Sequence, residues 1–452
     1  MAITSMLRNI KDTGYPMRIQ IWHLFTVKVW ELALADALMV ATTIVTLPLH
    51  KIFRSSSGVL GWLRWNKGGI IIQSLYQILW FLFWVNIPFL FEWTWTAQVF
   101  LTLHTLVLLM KMHSYSFYNG HLSVTEKRLR ALDCPSTASK APAYQYPGVG
   151  HATPENNPRE STFGCADEIS SLAQLRDDLA LELISPMGNV TYPNNLTYAN
   201  YGDYLLCPTL CYELEYPRTK GIVWSQLASK VLAVFGVIFL LTITSEEFIL
   251  PVMIESAARL EKTTSISDTG LILSESISML LFPFMISFLL VFLVIFEYVL
   301  GAFAEITCFA DRQFYSDWWN STDWLEFSRE WNIPVHNFFR RHVYSASRPH
   351  IGRPMATLIT FLISSIGHEI VMACITKKIR GYGFLAQMSQ IPIVMLQRTK
   401  WIKGKKLLNN VCFWCSIILG LSTVSRYFFD PSLILIRNRC VRYMFSVRFL
   451  VL

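Results

Sequence analysis

The sequence predicts an all-α polytopic membrane protein. Three features carry that prediction: 53% of the residues are hydrophobic and only 15% charged, apolar runs long enough to cross a bilayer recur along the chain, and Lys and Arg gather in the short stretches between them. Mean hydropathy is +0.37. Those basic loops account for the net charge of +8, so no nucleic-acid groove is implied.

In chain order, a polar head (1–28) lacks the apolar core and cleavage site of a signal peptide, so a membrane span must do the targeting. Eight candidate spans follow, near 30–49, 69–91, 93–110, 229–252, 276–302, 355–375, 381–397 and 408–428. The stretches from Gly68 to Phe91 and from Ser276 to Phe296 hold no charge, whereas the first candidate contains Glu31 and Asp36 and the fourth Glu246 and Glu247. These runs divide the chain into spans 1–3 (29–111), a polar excursion (112–228), spans 4–5 (229–302), a second polar insert (303–354), spans 6–8 (355–428) and a tail (429–452). Within the excursion, residues 133–162 are dense in Pro, Ser, Ala and Asn and read as a flexible loop. Basic residues at 51–67, 127–130, 312–353 and 400–406 occupy every second loop between the spans, so all four loops can share the cytoplasmic side. The basic residues at 8–28 and 437–448 then fall on the opposite side, against the rule.

Nine cysteines, an odd number spread through the chain, form no disulfide framework, and the Cys412/Cys415 pair reads as helix packing because no second pair or His stands near it. The sequons at Asn189, Asn195 and Asn320 lie in loops assigned to the cytoplasm and read as chance matches.

The second insert has internal order. In STDWLEFSREW, Asp323 can cap a helix, Glu326 can reach back, and Trp324, Phe327 and Trp331 share a face, which predicts an amphipathic helix at an interface. In WNIPVHNFFRRHVY, Pro334 suits a first helical turn, which leaves Asn332 just outside with its amide free to face a ligand. His336, Arg340 and Tyr344 then recur every four residues, with Arg341 beside them. In SSIGHEIVM, His368 and Glu369 lie deep in the sixth span, on the order of 20 Å along a helix that begins near Pro354. A desolvated imidazole stays neutral and can take a proton from an alcohol, so His368 reads as a general base; the plainer alternative is a neutral histidine donating to a neighbouring helix.

The segment FADRQFYSDWWNSTDWLEFSREWNIPVHNFFRRHVY, followed by SSIGHE, resembles the acyl-CoA-dependent sterol and diacylglycerol acyltransferases of the membrane-bound O-acyltransferase superfamily. The likeness runs from about residue 70 to 430, and LVLLMKMHSYSFYNG with YELEYPRTKGIVW resembles the fungal sterol branch. It implies the fold of that superfamily, usually nine spans around an intramembrane reaction chamber, in the endoplasmic reticulum. Eight are visible, so the family's first span is expected to be absent; the tail after Phe429 matches no family element. By the same resemblance His368 is the catalytic histidine and Asn332 its assistant. Phe314, Tyr315, Asp317, Trp318, Trp319 and Asn320 of the FYSDWWN element support the acyl-CoA site, and Arg329, His336, Tyr344, Arg353 and Ser364 match positions near the coenzyme.

The two tryptophans of that element are expected at the interface, rings buried and N–H groups wet, while Asp317 and Asn320 hold the neighbouring backbone. Pure interfacial anchoring is the alternative. Acyl-CoA is expected to dock from the cytoplasm with its phosphates near Arg340, Arg341 or Arg353, and the sterol to arrive laterally from the bilayer. No cofactor or metal is needed, since a thioester is already activated. A homo-oligomer, dimer or tetramer, is expected. Two other readings stay open: diacylglycerol as acceptor, and a transporter using His368 and Glu369 as a proton relay.

Overall fold

The computed structural model describes residues 2–14, 28–132 and 165–426, apart from 264, 377, 401 and 403. Within these the chain is helical, with only isolated β-bridges at Ile184/Thr191 and Arg218/Phe309. A helix, α1 (Ala2–Thr13), lies in the polar head. The first apolar run becomes α2 (Val29–Thr43) and α3 (Thr46–Ser55), and the second α4 (Ile70–Leu90).

The third run is longer than the periodicity predicts. Helix α5 (Trp95–Leu132) has 38 residues, about 57 Å at the usual helical rise, nearly twice a hydrocarbon core. Its distal half, expected as loop, is buried in protein: Ser114, Ser116, Asn119, Ser123 and Thr125 all point inward. Ser114, Ser116, Asn119 and Thr125 have hydrogen-bond partners there, as where Asn195 Nδ2 donates to Asn119 Oδ1 at 2.7 Å. After α6 (Cys165–Glu182) and α7 (Tyr198–Leu206), the excursion forms an ordered tyrosine core of Tyr115, Tyr201, Tyr204, Tyr212 and Tyr216. The loop expectation for 133–162 lies outside the described residues.

Helix α8 (Trp224–Thr244) continues through a π-helical turn (Ser245–Ile249) into α9 (Leu250–Glu261), and α10 (Ile266–Phe292) through a second such turn (Leu293–Val299) into α11 (Leu300–Ile306). The first turn precedes Pro251, which has no N–H to give the preceding helix. The second exposes the Glu297 carbonyl, which Lys230 Nζ reaches at 3.2 Å while pairing with the Glu297 carboxylate at 3.1 Å.

Past α12 (Trp324–Glu330) and α13 (Ile333–Phe338), a third π-helical turn (Phe339–Tyr344) leads into α14 (Ser345–Thr376). Gly352 breaks α14 with φ 77° and ψ 170°, a backbone region that only glycine occupies readily, and Pro354 restarts the helix two residues on. That restart is where the sequence places the beginning of the sixth span.

Segment 381–397, expected as a span, is instead two short helices, α15 (Tyr382–Met388) and α16 (Gln390–Gln397), which meet at Ser389. Pro392 is the cause: it cannot donate to the Met388 carbonyl, and its ring crowds that turn. The final helix is α17 (Lys406–Arg426).

Among the described residues, five helical runs are long and apolar enough to cross a membrane: Val29–Ser55, Gly58–Leu90, Trp224–Glu261, Ile266–Ile306 and Ile333–Cys374. Cys412 and Cys415 do not pack inward; both are exposed on α17.

Candidate functional site

The FYSDWWN element is held by backbone pairing to the segment that presents Asn332. Ser316 N donates to the Glu330 carbonyl at 2.9 Å, and Ile333 N donates to the Phe314 carbonyl at 3.0 Å. Trp318 is almost fully enclosed, with ring centroids 4.7 Å from Trp331, 5.2 Å from Phe292 and 5.8 Å from Phe288. Its indole N–H and that of Trp331 are buried without a hydrogen-bond partner, contrary to the wet N–H expected for an interfacial tryptophan. Edge-on aromatic packing supplies the attraction that keeps them there. Trp319, by contrast, is 40% exposed.

Asp317 makes no side-chain capping bond to the short 3₁₀ turn Trp318–Asn320, contrary to expectation. The backbone of the element is fastened from the last helix instead. Asn410 Nδ2 donates to the carbonyls of Trp319 and Ser321, at 3.3 and 3.1 Å, and Trp414 Nε1 donates to Trp319 O at 3.1 Å. Asn410 and Trp414 escape sequence reasoning because their partners are main-chain atoms about ninety residues away, which leave no pattern in side-chain chemistry.

The start of α12 is capped as predicted, with one refinement. Asp323 Oδ1 accepts from Glu326 N at 2.7 Å, while the Glu326 carboxylate reaches past Asp323 to Thr322, accepting from its N–H at 2.6 Å and its hydroxyl at 2.8 Å. That backbone bond holds the Glu326 carboxyl below the ordinary carboxylate range, against an opposing push from burial.

Asn332 caps α13. Its Oδ1 accepts from Val335 N at 3.2 Å, so only half of the amide is free, not all of it as the sequence implied. Because the Val335 partner is a donor, the atom facing it must be the oxygen, and the Nδ2–H groups are directed away from the helix. The cap thus orients a donor.

The face expected of His336, Arg340 and Tyr344 is interrupted. The π-helical turn Phe339–Tyr344 rotates Tyr344 off the regular four-residue row. Arg341 is also committed elsewhere: it is buried, pairs with Glu213 at 2.8 Å and bonds the Tyr212 carbonyl at 3.4 Å. Arg340 is exposed beside it, as are Arg329 and Arg353. Arg340, Asn337, Pro334, Phe314 and Thr209 share the lining of a cleft of about 380 Å³ between the Pro208–Cys211 loop and α13. Cys211 also lines it, and burial pushes that thiol up to about 11, so it stays protonated and packs rather than reacts.

His368 stands on α14, one helical turn past Ser364. Its Nδ1 lies 2.8 Å from the Ser364 carbonyl. Glu369 turns away from it to the start of α15: its carboxylate accepts from the backbone N–H groups of Arg380, Gly381 and Phe384 at 3.1, 2.6 and 3.1 Å. Three such donors satisfy a carboxylate inside the protein and fasten α15 to α14. At the same contact, a Cβ on Gly383 would lie 3.1 Å from the His368 carbonyl and 2.8 Å from Met372 Cγ, so only glycine allows the approach. Among the described residues no hydrogen bond links the Asn332 group to the His368 group; the structure assembles each separately.

A helical membrane framework with an intramembrane histidine and a separate aromatic, asparagine-bearing element defines a class, and comparison with known proteins agrees. The model of the membrane-bound O-acyltransferase family matches residues 151–429, and the chain belongs to that family of acyltransferases. It is 38% identical to probable sterol O-acyltransferase 2 of Schizosaccharomyces pombe over 94% of this chain and 83% of that protein. It is 34% identical to sterol O-acyltransferase 2 of Candida albicans over 93% of this chain and 72% of that protein. Diacylglycerol O-acyltransferase 1 of Dictyostelium discoideum is 36% identical, but over 56% of this chain and 40% of its own length.

Proposed function

We propose that the protein transfers a long-chain fatty acyl group from acyl-CoA to the 3β-hydroxyl of a sterol in the endoplasmic reticulum membrane, yielding a steryl ester. The observation that carries the choice of acceptor is the reach of the likeness: it covers nearly the whole chain for the sterol enzymes and about half for the diacylglycerol enzyme.

In this reading His368 is the base. With Nδ1–H donated to the Ser364 carbonyl, the lone pair on Nε2 takes the sterol proton as the oxygen attacks the thioester carbonyl. Asn332 Nδ2–H stabilises the developing oxyanion. As the C–S bond breaks, the proton on Nε2 passes to the departing thiolate, and free coenzyme leaves. Ser364 meets the thioester end of the coenzyme, and Arg340, exposed at the cleft beside Phe314, meets its phosphates. Arg341 is left to structure. A proton relay through Glu369 is disfavoured by the three backbone donors that already occupy its carboxylate.

The test is product identity. Microsomes containing the chain, given labelled oleoyl-CoA and either ergosterol or diacylglycerol, should form labelled steryl ester. Triacylglycerol as the main product would move the acceptor to the diacylglycerol branch, and no ester of either kind would defeat the reading.

A further inference from the structure

We propose that Gln387 is a positioning residue for acyl transfer, acting through the hydroxyl of Ser364; the inference rests on the functional reading above. Hydroxyls on a helix ordinarily donate back to the carbonyl four residues earlier. Thr357, Thr360 and Ser365 all do so on this helix, donating to Arg353, Ala356 and Phe361 at 3.0, 2.8 and 2.7 Å. Ser364 departs from its neighbours. Its Oγ instead accepts a hydrogen bond from Gln387 Nε2 at 3.3 Å, across the contact between α14 and α15.

Gln387 is itself held. Gln390 Nε2 donates to Gln387 Oε1 at 3.0 Å, which fixes the amide with its nitrogen toward Ser364. The contact is tight because Gly383 admits the approach and Glu369 fastens the start of α15. Both glutamines belong to the two helices that break at Ser389, so the break lets two amides from adjacent turns face α14.

The consequence lies in the hydroxyl proton. With its oxygen accepting from Gln387, Ser364 keeps its own O–H as a donor, and among the described residues nothing accepts it. Ser364 and His368 stand one turn apart on the same helix face, on the order of 6 Å between side-chain roots. That face therefore offers a donor and, at His368 Nε2, a base. The donor suits the thioester carbonyl, whose oxygen gains charge as the base takes the sterol proton. Gln387 touches neither reactant; it keeps Ser364 from closing onto its own helix.

A double-mutant cycle tests this, read as kcat and acyl-CoA KM in microsomes with protein level and detergent-solubilised melting as fold controls. Gln387→Met should lower kcat about tenfold, the scale of one lost polar contact, with KM nearly unchanged. Gln387→Glu, equal in shape but lacking the donor, should lose at least as much. In a Ser364→Ala background neither change should cost anything further, since the group they act through is gone. Independent, multiplying losses would overturn the proposal while leaving the acyltransferase reading intact. Wild-type turnover in Gln387→Met or in Ser364→Ala would also overturn it. Failure of the parent chain to make steryl ester would remove the reading and the proposal together.

Discussion

His368 Nδ1 lies 2.8 Å from the Ser364 carbonyl oxygen, on its own helix and one turn back. A carbonyl only accepts, so Nδ1 must carry the proton, and the second nitrogen is left with its lone pair. The bond thereby selects the tautomer and fixes the ring plane.

The first prediction follows from that geometry. His368→Ala should remove ester formation, with a loss of about 10²–10⁴ in rate, at normal protein level. His368→Gln should do the same although it is polar and of similar length, because an amide is not a base. Labelled steryl ester from microsomes reports both, and wild-type turnover in either variant would end the general-base role.

Asn332 allows capping to be separated from catalysis. Asn332→Asp keeps an oxygen for Val335 N and should keep the fold, yet it removes the amide N–H donor; kcat should fall roughly 10²-fold or more with acyl-CoA KM little changed. Asn332→Ala should add a loss of about 1 kcal/mol from the missing cap, seen as a lower melting temperature. Raised KM at unchanged kcat in the Asp variant would make Asn332 a docking residue.

The two adjacent arginines should part company. Arg341→Met removes the partner of Glu213 and of the Tyr212 carbonyl inside the protein, so it should lower stability and assembled protein together. Arg340→Gln should leave the melting temperature alone and raise acyl-CoA KM several-fold, an effect that weakens as salt rises. An Arg341 variant of normal stability with high KM would exchange their roles.

These contrasts explain how much was legible beforehand. The spans centred on 69–91 and 276–302 were plain because composition alone distinguishes hydrocarbon from water, and the cap at Asp323 was plain because capping is local. Three things were not. The inward face of the distal half of α5 mixes Ser, Asn and Thr with Tyr115, Tyr118 and Leu122, and a face so rich in buried polar side chains does not stand out as an apolar period. The π-helical turn at Phe339–Tyr344 shifts the row that four-residue spacing defines. Arg340 and Arg341 look alike in sequence, and only the position of Glu213, well over a hundred residues away, distinguishes them. The candidate site was thus readable as a set of residue types, while the assignment of each group to support or to chemistry needed the fold.

Gly383 offers the last prediction. Its Cα sits so close to α14 that a methyl group would come within 3.1 Å of the His368 carbonyl and 2.8 Å of Met372 Cγ. The methionine can yield, being flexible, but the carbonyl belongs to the helix that carries the base. Gly383→Ala should therefore push α15 outward by a few tenths of an ångström, at a cost of about 1–3 kcal/mol from overpacking. The displacement stretches the Glu369 bonds to Gly381 and Phe384, and with them the Gln387 contact to Ser364. Activity should fall more than protein level does. Met372→Ala in the same chain should restore part of the loss by clearing the nearer of the two clashes, and melting in detergent with steryl ester formation measures both effects. A Gly383→Ala protein with unchanged activity and melting would show that α15 is not packed against the His368 turn.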